Sequence, residues 1–163
     1  MVTDSKQSTA LLLGYTGVAP FIACALYVAW FAGTAGHFAA HVAFVGLAYG
    51  AVILSFVGAL HWAYALHRTE LGRGAFVRSI IPAFIAWVSL CIALLVPGGF
   101  GVHAFAAALM IAAFIAHLRA DYALNRAFKE LIVPSWFLKM RLHLSAAACL
   151  SLAVIAVCAL AVK

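Results

Sequence analysis

The residues with chemical potential in this sequence are histidines set inside apolar runs. His61 stands beside Trp62, His117 is followed one helical turn later by Asp121, and His143 opens another apolar run. At a spacing of four, His117 and Asp121 share a helix face within hydrogen-bond reach. A carboxylate beside an imidazole fixes its tautomer and raises its basicity, which suits a proton carrier or a metal ligand. His61, Trp62, His117, Asp121 and His143 are therefore the expected ligand-binding set, converging near one face of the membrane. The bland alternative is a neutral imidazole bonded to a neighbour, because buried polar groups usually just find partners. The spacing matches no metal-binding signature, so no metal is assigned. No phosphate-cradling glycine loop or serine-nucleophile motif occurs, so no catalytic residue and no cofactor are assigned either.

Haem can be tested by angle. At 100° per residue, His103 and His117 share a face within about 40°, but His41 and His61 fall about 160° apart. Two stacked haems need both helices to align, so that arrangement is disfavoured. His37 and His41 lie one turn apart and read as interfacial polar residues. Cys24, Cys91, Cys149 and Cys158 each lie in an apolar run, with no two-residue spacing between any pair. They read as small packing residues.

The elements that must position these groups are lipid-embedded helices. The 163-residue chain is 68% hydrophobic and 9% charged, with a mean hydropathy of +1.16. A soluble domain is about half apolar and about a quarter charged. The expected fold is all-α: a single membrane helical bundle with spans near 10–31, 41–66, 80–96, 102–117 and 144–162, each close to the roughly 20 apolar residues a crossing needs. The first run is longer than a signal-peptide core and is expected to stay as a span. In the second, Gly46, Gly50 and Gly58 fall with His61 in an arc of about 120°. Small residues let helices approach closely in lipid, so this arc is the expected helix-packing face, turning His61 inward.

The formal net charge is +6, but the basic residues sit in short connections rather than in a nucleic-acid module. Arg68, Arg73, Arg78, Arg119, Arg126, Lys129, Lys139 and Arg141 fall in or beside the second and fourth connections. The first and third, 33–40 and 97–101, carry no Lys or Arg. The positive-inside rule then places the N-terminus in the cytoplasm and the C-terminus outside, in the cell inner membrane. After Pro134, Ser135 is a plausible N-cap, and a helix from there to Val162 would be about 42 Å long. Its first turns are expected in the headgroup layer, with Trp136 at that depth and Lys139 and Arg141 reaching phosphates.

Four stretches carry a resemblance. They are Leu13-Gly14-Tyr15-Thr16-Gly17-Val18-Ala19-Pro20-Phe21, the second-span block from Tyr49 to Trp62, Ile81-Pro82-Ala83-Phe84-Ile85-Ala86-Trp87, and Pro134-Ser135-Trp136-Phe137-Leu138-Lys139-Met140-Arg141. In order, and over nearly the whole chain, they resemble the bacterial domain of unknown function 3429, a family similar to the mitochondrial transmembrane protein 69. The resemblance implies an integral membrane protein and brings no catalytic residues with it.

Two classes of function compete. The first is a non-catalytic accessory, assembly or interaction protein, packing against a larger membrane complex or a homo-oligomer within the lipid bilayer, with no nucleic acid partner. The alternative is a binder or carrier of a small ligand (porphyrin, quinone, lipid) or of protons at the His61–Trp62 region. A metal enzyme ranks third.

Overall fold

The computed structural model describes residues 2–34, 36–67, 71–127 and 133–161. Six helices follow in chain order: α1 (Val2–Thr16), α2 (Ala19–Phe31), α3 (Gly36–His67), α4 (Gly74–Leu95), α5 (Gly101–Ala127) and α6 (Ser135–Ala161). Among the described residues five stretches are long and apolar enough to cross a membrane: Ser5–Phe31, His37–His67, Gly74–Leu95, Gly101–Ala127 and Ser135–Ala161. The protein is an all-α, multi-pass membrane protein, as its composition requires.

Most helices run beyond the expected spans. Hydropathy marks only the lipid section, whereas backbone hydrogen bonding carries a helix on through flanking polar residues. The first span also breaks in two. Pro20 has no N–H for the carbonyl four residues earlier, and its ring crowds that carbonyl. The break falls at Gly17 and Val18, where the Tyr49 hydroxyl donates to the Gly17 carbonyl at 2.7 Å. That bond ties the break to α3. The turn between α4 and α5 passes through Gly99 at φ 63°, a left-handed conformation open to glycine at little cost.

From α2 onward successive helices pack as neighbours, α6 closes back onto α2 and also touches α1, and α3 touches α5 across the middle. The buried positions explain this order. In α3 they include Ala39, Ala43, Leu47, Ala51, Leu54, Val57, His61 and Ala65, a three-to-four spacing that makes one inward stripe. In α5 the stripe runs through Ala106, Met110, Phe114, His117 and Asp121, and in α6 through Arg141, Ser145, Ala148, Leu152 and Ile155. Phe21, Leu47, Leu54, Met110, Phe114 and Leu152 form the main core. Cys24, Val28, Ala43 and Ile155 form a second one. The outer faces carry large apolar side chains such as Trp30, Phe56, Phe84, Trp87 and Leu150, where lipid is the natural solvent.

The glycine arc lies at helix contacts. A Cβ at Gly46 would meet Ile155 Cδ1 at 2.9 Å and Cys24 Cβ at 3.2 Å. One at Gly50 would meet Met110 Sδ at 3.2 Å, and one at Gly58 would overlap the Ser79 carbonyl oxygen of α4.

Candidate functional site: a buried carboxylate shared by three helices

The inward stripes of α3, α5 and α6 end in polar residues at the same end of the bundle. His61 lies six residues before the end of α3, Asp121 six before the end of α5, and Arg141 six after the start of α6. Six residues of helix are about 9 Å. The three side chains therefore meet at one level, inside the bundle but close to its surface.

Asp121 is the hub. Its Oδ1 accepts from the His61 imidazole, with Nε2 at 2.7 Å. Its Oδ2 accepts two bonds from Arg141, from Nε at 3.1 Å and Nη2 at 2.8 Å. All three residues are buried. A carboxylate held on both oxygens, one of them by a guanidinium, is the kind of pairing that makes a buried charge tolerable.

His117 completes the cluster differently. Its Nε2 stands 3.8 Å from Asp121 Oδ1, beyond hydrogen-bond length. Its ring centroid is 4.3 Å from that of His61, with 36° between the planes. His117 is 5% exposed, and its Nε2 is buried without a hydrogen-bond partner. His61, His117 and Asp121 can each offer one ligand atom such that the three lie within 4.8 Å of one another.

Of the expected binding set, the structure thus brings His61, His117 and Asp121 together. His143 lies apart from them: it is exposed, and its Nδ1 is 2.9 Å from the Tyr15 hydroxyl. Two residues past Arg141 on α6, it is turned about 200° away from the cluster. Trp62 also faces outward, 42% exposed, with its ring edge-to-face on Phe76 at 5.1 Å. The position in the cluster that sequence reasoning missed is Arg141. Expected among lipid phosphates, it is 7% exposed and paired with Asp121. The available signal was Asp121 itself, an acid on an inward stripe that needs a counter-charge. Only Lys139 of the two basic residues remains outward.

Two spaces flank the cluster. An apolar groove of about 350 Å³ runs between α1, α2, α3, α5 and α6, lined by Phe21, Phe56, Phe114, Phe137 and Leu144 and touching Arg141. A crevice of about 370 Å³ lies on the other side, bordered by His61, Arg78, Ala120 and Leu124.

Against known proteins, residues 6–157 match the family described as "Protein of unknown function (DUF3429)". The chain belongs to this family. It is also 32% identical over 146 residues to Transmembrane protein 69 of Xenopus tropicalis, an alignment covering 88% of this chain and 51% of that one. The chain spans about half the length of that curated relative. No solved structure matches. As a DUF3429 protein, the chain has family membership over the matched range that includes all four cluster residues, His61, His117, Asp121 and Arg141.

Proposed function

We propose that this DUF3429 protein is a non-catalytic component of the cell inner membrane, packing against a larger membrane complex or against copies of itself. One observation carries the reading: the buried carboxylate of Asp121 is engaged on both oxygens, by His61 of α3 and Arg141 of α6. Its bonding capacity serves to lock three helices in register. That is the use of buried polar groups best attested in helical assemblies. The exposed apolar face then becomes the working surface. Extraction in a mild detergent, followed by native electrophoresis and mass spectrometry, tests this. The expected result is a species larger than the monomer with a reproducible partner or a second copy. Migration as a lone monomer after in-membrane crosslinking would overturn it.

A second reading is favoured by the apolar groove beside Phe21, Phe56 and Phe114: retention of an apolar chain, such as a lipid or quinone tail. The same mass spectra decide it, because a retained lipid or quinone adds its own mass to the protein.

The orientation belongs to the same proposal. Arg73, Arg78, Arg126 and Lys139 lie toward the end of the bundle that holds the cluster, whereas the described residues of the opposite turns carry no Lys or Arg. That end is cytoplasmic by the positive-inside rule. In a cysteine-free background, single cysteines at Gly36 and Gly99 are expected to react with an impermeant thiol reagent on intact cells, and one at Gly72 is not. Labelling at Gly72 alone would invert the topology.

A further inference from the structure

We infer that His61, His117 and Asp121 form a binding site for one divalent transition-metal ion of the zinc or iron(II) class. The argument starts from His117. An imidazole nitrogen buried without a partner costs free energy, because it gives up water and gains no bond in return. His117 Nε2 is such an atom, on a side chain that is 5% exposed, and it stands 3.8 Å from the oxygen that His61 also faces. A contact of the ring with the Val57 backbone leaves Nε2 unaccounted for. A ligand that accepts its lone pair accounts for the histidine.

The geometry suits an ion. Metal–nitrogen and metal–oxygen bonds to zinc are about 2.0–2.2 Å, so tetrahedral ligand atoms lie about 3.4 Å from each other. Here the separations from Asp121 Oδ1 are 2.7 Å to His61 Nε2 and 3.8 Å to His117 Nε2, on either side of that value. Small side-chain rotations reconcile them. The ion takes the place of the proton between His61 and Asp121. A singly protonated His61 then moves that proton from Nε2 to Nδ1, and a doubly protonated one releases it.

Arg141 supports this arrangement. Both of its hydrogen bonds end on Oδ2, which fixes the carboxylate and leaves Oδ1 turned toward the two histidines. Hydrogen-bonded outer partners of this kind orient metal-ligating carboxylates. Two imidazoles and one carboxylate select zinc, iron(II) or a similar ion over magnesium or calcium, which prefer all-oxygen shells. Three protein ligands also leave a coordination position free. The crevice bordered by His61 and Arg78 provides the route in, and the guanidinium of Arg78 can accompany an anion that completes the shell.

Cobalt(II) is the probe, because it occupies zinc-type sites and reports its ligands by visible absorption. The full-length protein, purified in detergent with a histidine-free tag and stripped with chelator, is titrated with cobalt and dialysed to equilibrium. One cobalt per chain with visible ligand-field bands is expected, displaced by zinc. His117→Leu should weaken binding by more than the roughly 10–100-fold that losing an outer-shell partner costs. Its resistance to unfolding without metal should stay close to wild type, because the ring's contact with the Val57 backbone is lost while an unpartnered buried Nε2 is removed. His117→Gln, close in size and a poor ligand, repeats the test if the leucine variant misfolds. A histidine with only a structural role would give the reverse: lower stability and no change in cobalt binding. No cobalt bound to the wild type, or unchanged affinity in either His117 variant, overturns the inference.

Discussion

Replacing Asp121 by alanine is expected to destabilise the bundle by about 3–5 kcal/mol, the cost of stripping one partner from a buried ion pair. The reason lies less in the bonds lost than in what remains. Arg141 is 7% exposed, six residues inside its helix, and its guanidinium cannot lose its charge. Without Asp121 it must stay charged in the bundle or drag the start of α6 toward the headgroups. Removing His61 should cost less, within the roughly 1.5–3 kcal/mol of a hydrogen bond to a charged group, because Arg141 still holds Oδ2. The decisive comparison is the double variant Asp121→Leu with Arg141→Met. Apolar replacement of a buried pair is often neutral or stabilising, so the double variant should recover most of the loss. Unfolding in mixed micelles with increasing denaturing detergent gives each value. A double variant as unstable as Asp121→Ala would mean that the pair is not what holds α5 to α6.

The membrane fold was legible because lipid imposes one rule, and apolar runs of sufficient length obey it. The inward turn of His61 was legible too, since Gly46, Gly50 and Gly58 mark the packed face of the same helix. Helix ends were legible only in part: Pro134 and Ser135 mark the start of α6, but hydropathy does not mark the starts of α3 and α4 or the end of α5. The break at Gly17 and Val18 rested on Pro20, a residue visible in the sequence, but the bond from Tyr49 that secures it comes from another helix. The site was half legible. His117 and Asp121 are joined by local spacing, which a sequence displays. The pairing of Asp121 with Arg141 crosses between helices, and a basic residue near a span's end reads as a phosphate anchor until its rotational phase is known. His143 was misplaced by the same ignorance of phase: its depth fits the cluster, but its direction does not.

Phase also decides which glycine matters most. Gly58→Ala is expected to be the most damaging of the three single alanine changes in the α3 packing arc. The obstacle at Gly58 is backbone: the new Cβ would overlap the Ser79 carbonyl oxygen, with Pro82 Cγ a further 3.7 Å contact. A carbonyl inside α4 cannot swing aside, so α3 and α4 must separate. That exposes the Leu54–Ala86 part of the core and costs about 1–3 kcal/mol or more, the usual range for overpacking. At Gly46 the neighbours are Ile155 Cδ1 at 2.9 Å and Cys24 Cβ at 3.2 Å. The isoleucine tip can turn, but the cysteine Cβ is fixed to its helix, so an intermediate loss is expected. At Gly50 the tightest contact is the Met110 sulfur at 3.2 Å, and methionine adjusts readily. Gly50→Ala should therefore be close to neutral, although Gly50→Leu would force α2 and α5 away. Unfolding midpoints of the three alanine variants should fall in the order Gly50, Gly46, Gly58, from most to least stable. If Gly58→Ala matched wild type, the close approach of α3 to the Ser79 turn of α4 would be disproved, and with it the rotational setting that aims His61 at Asp121.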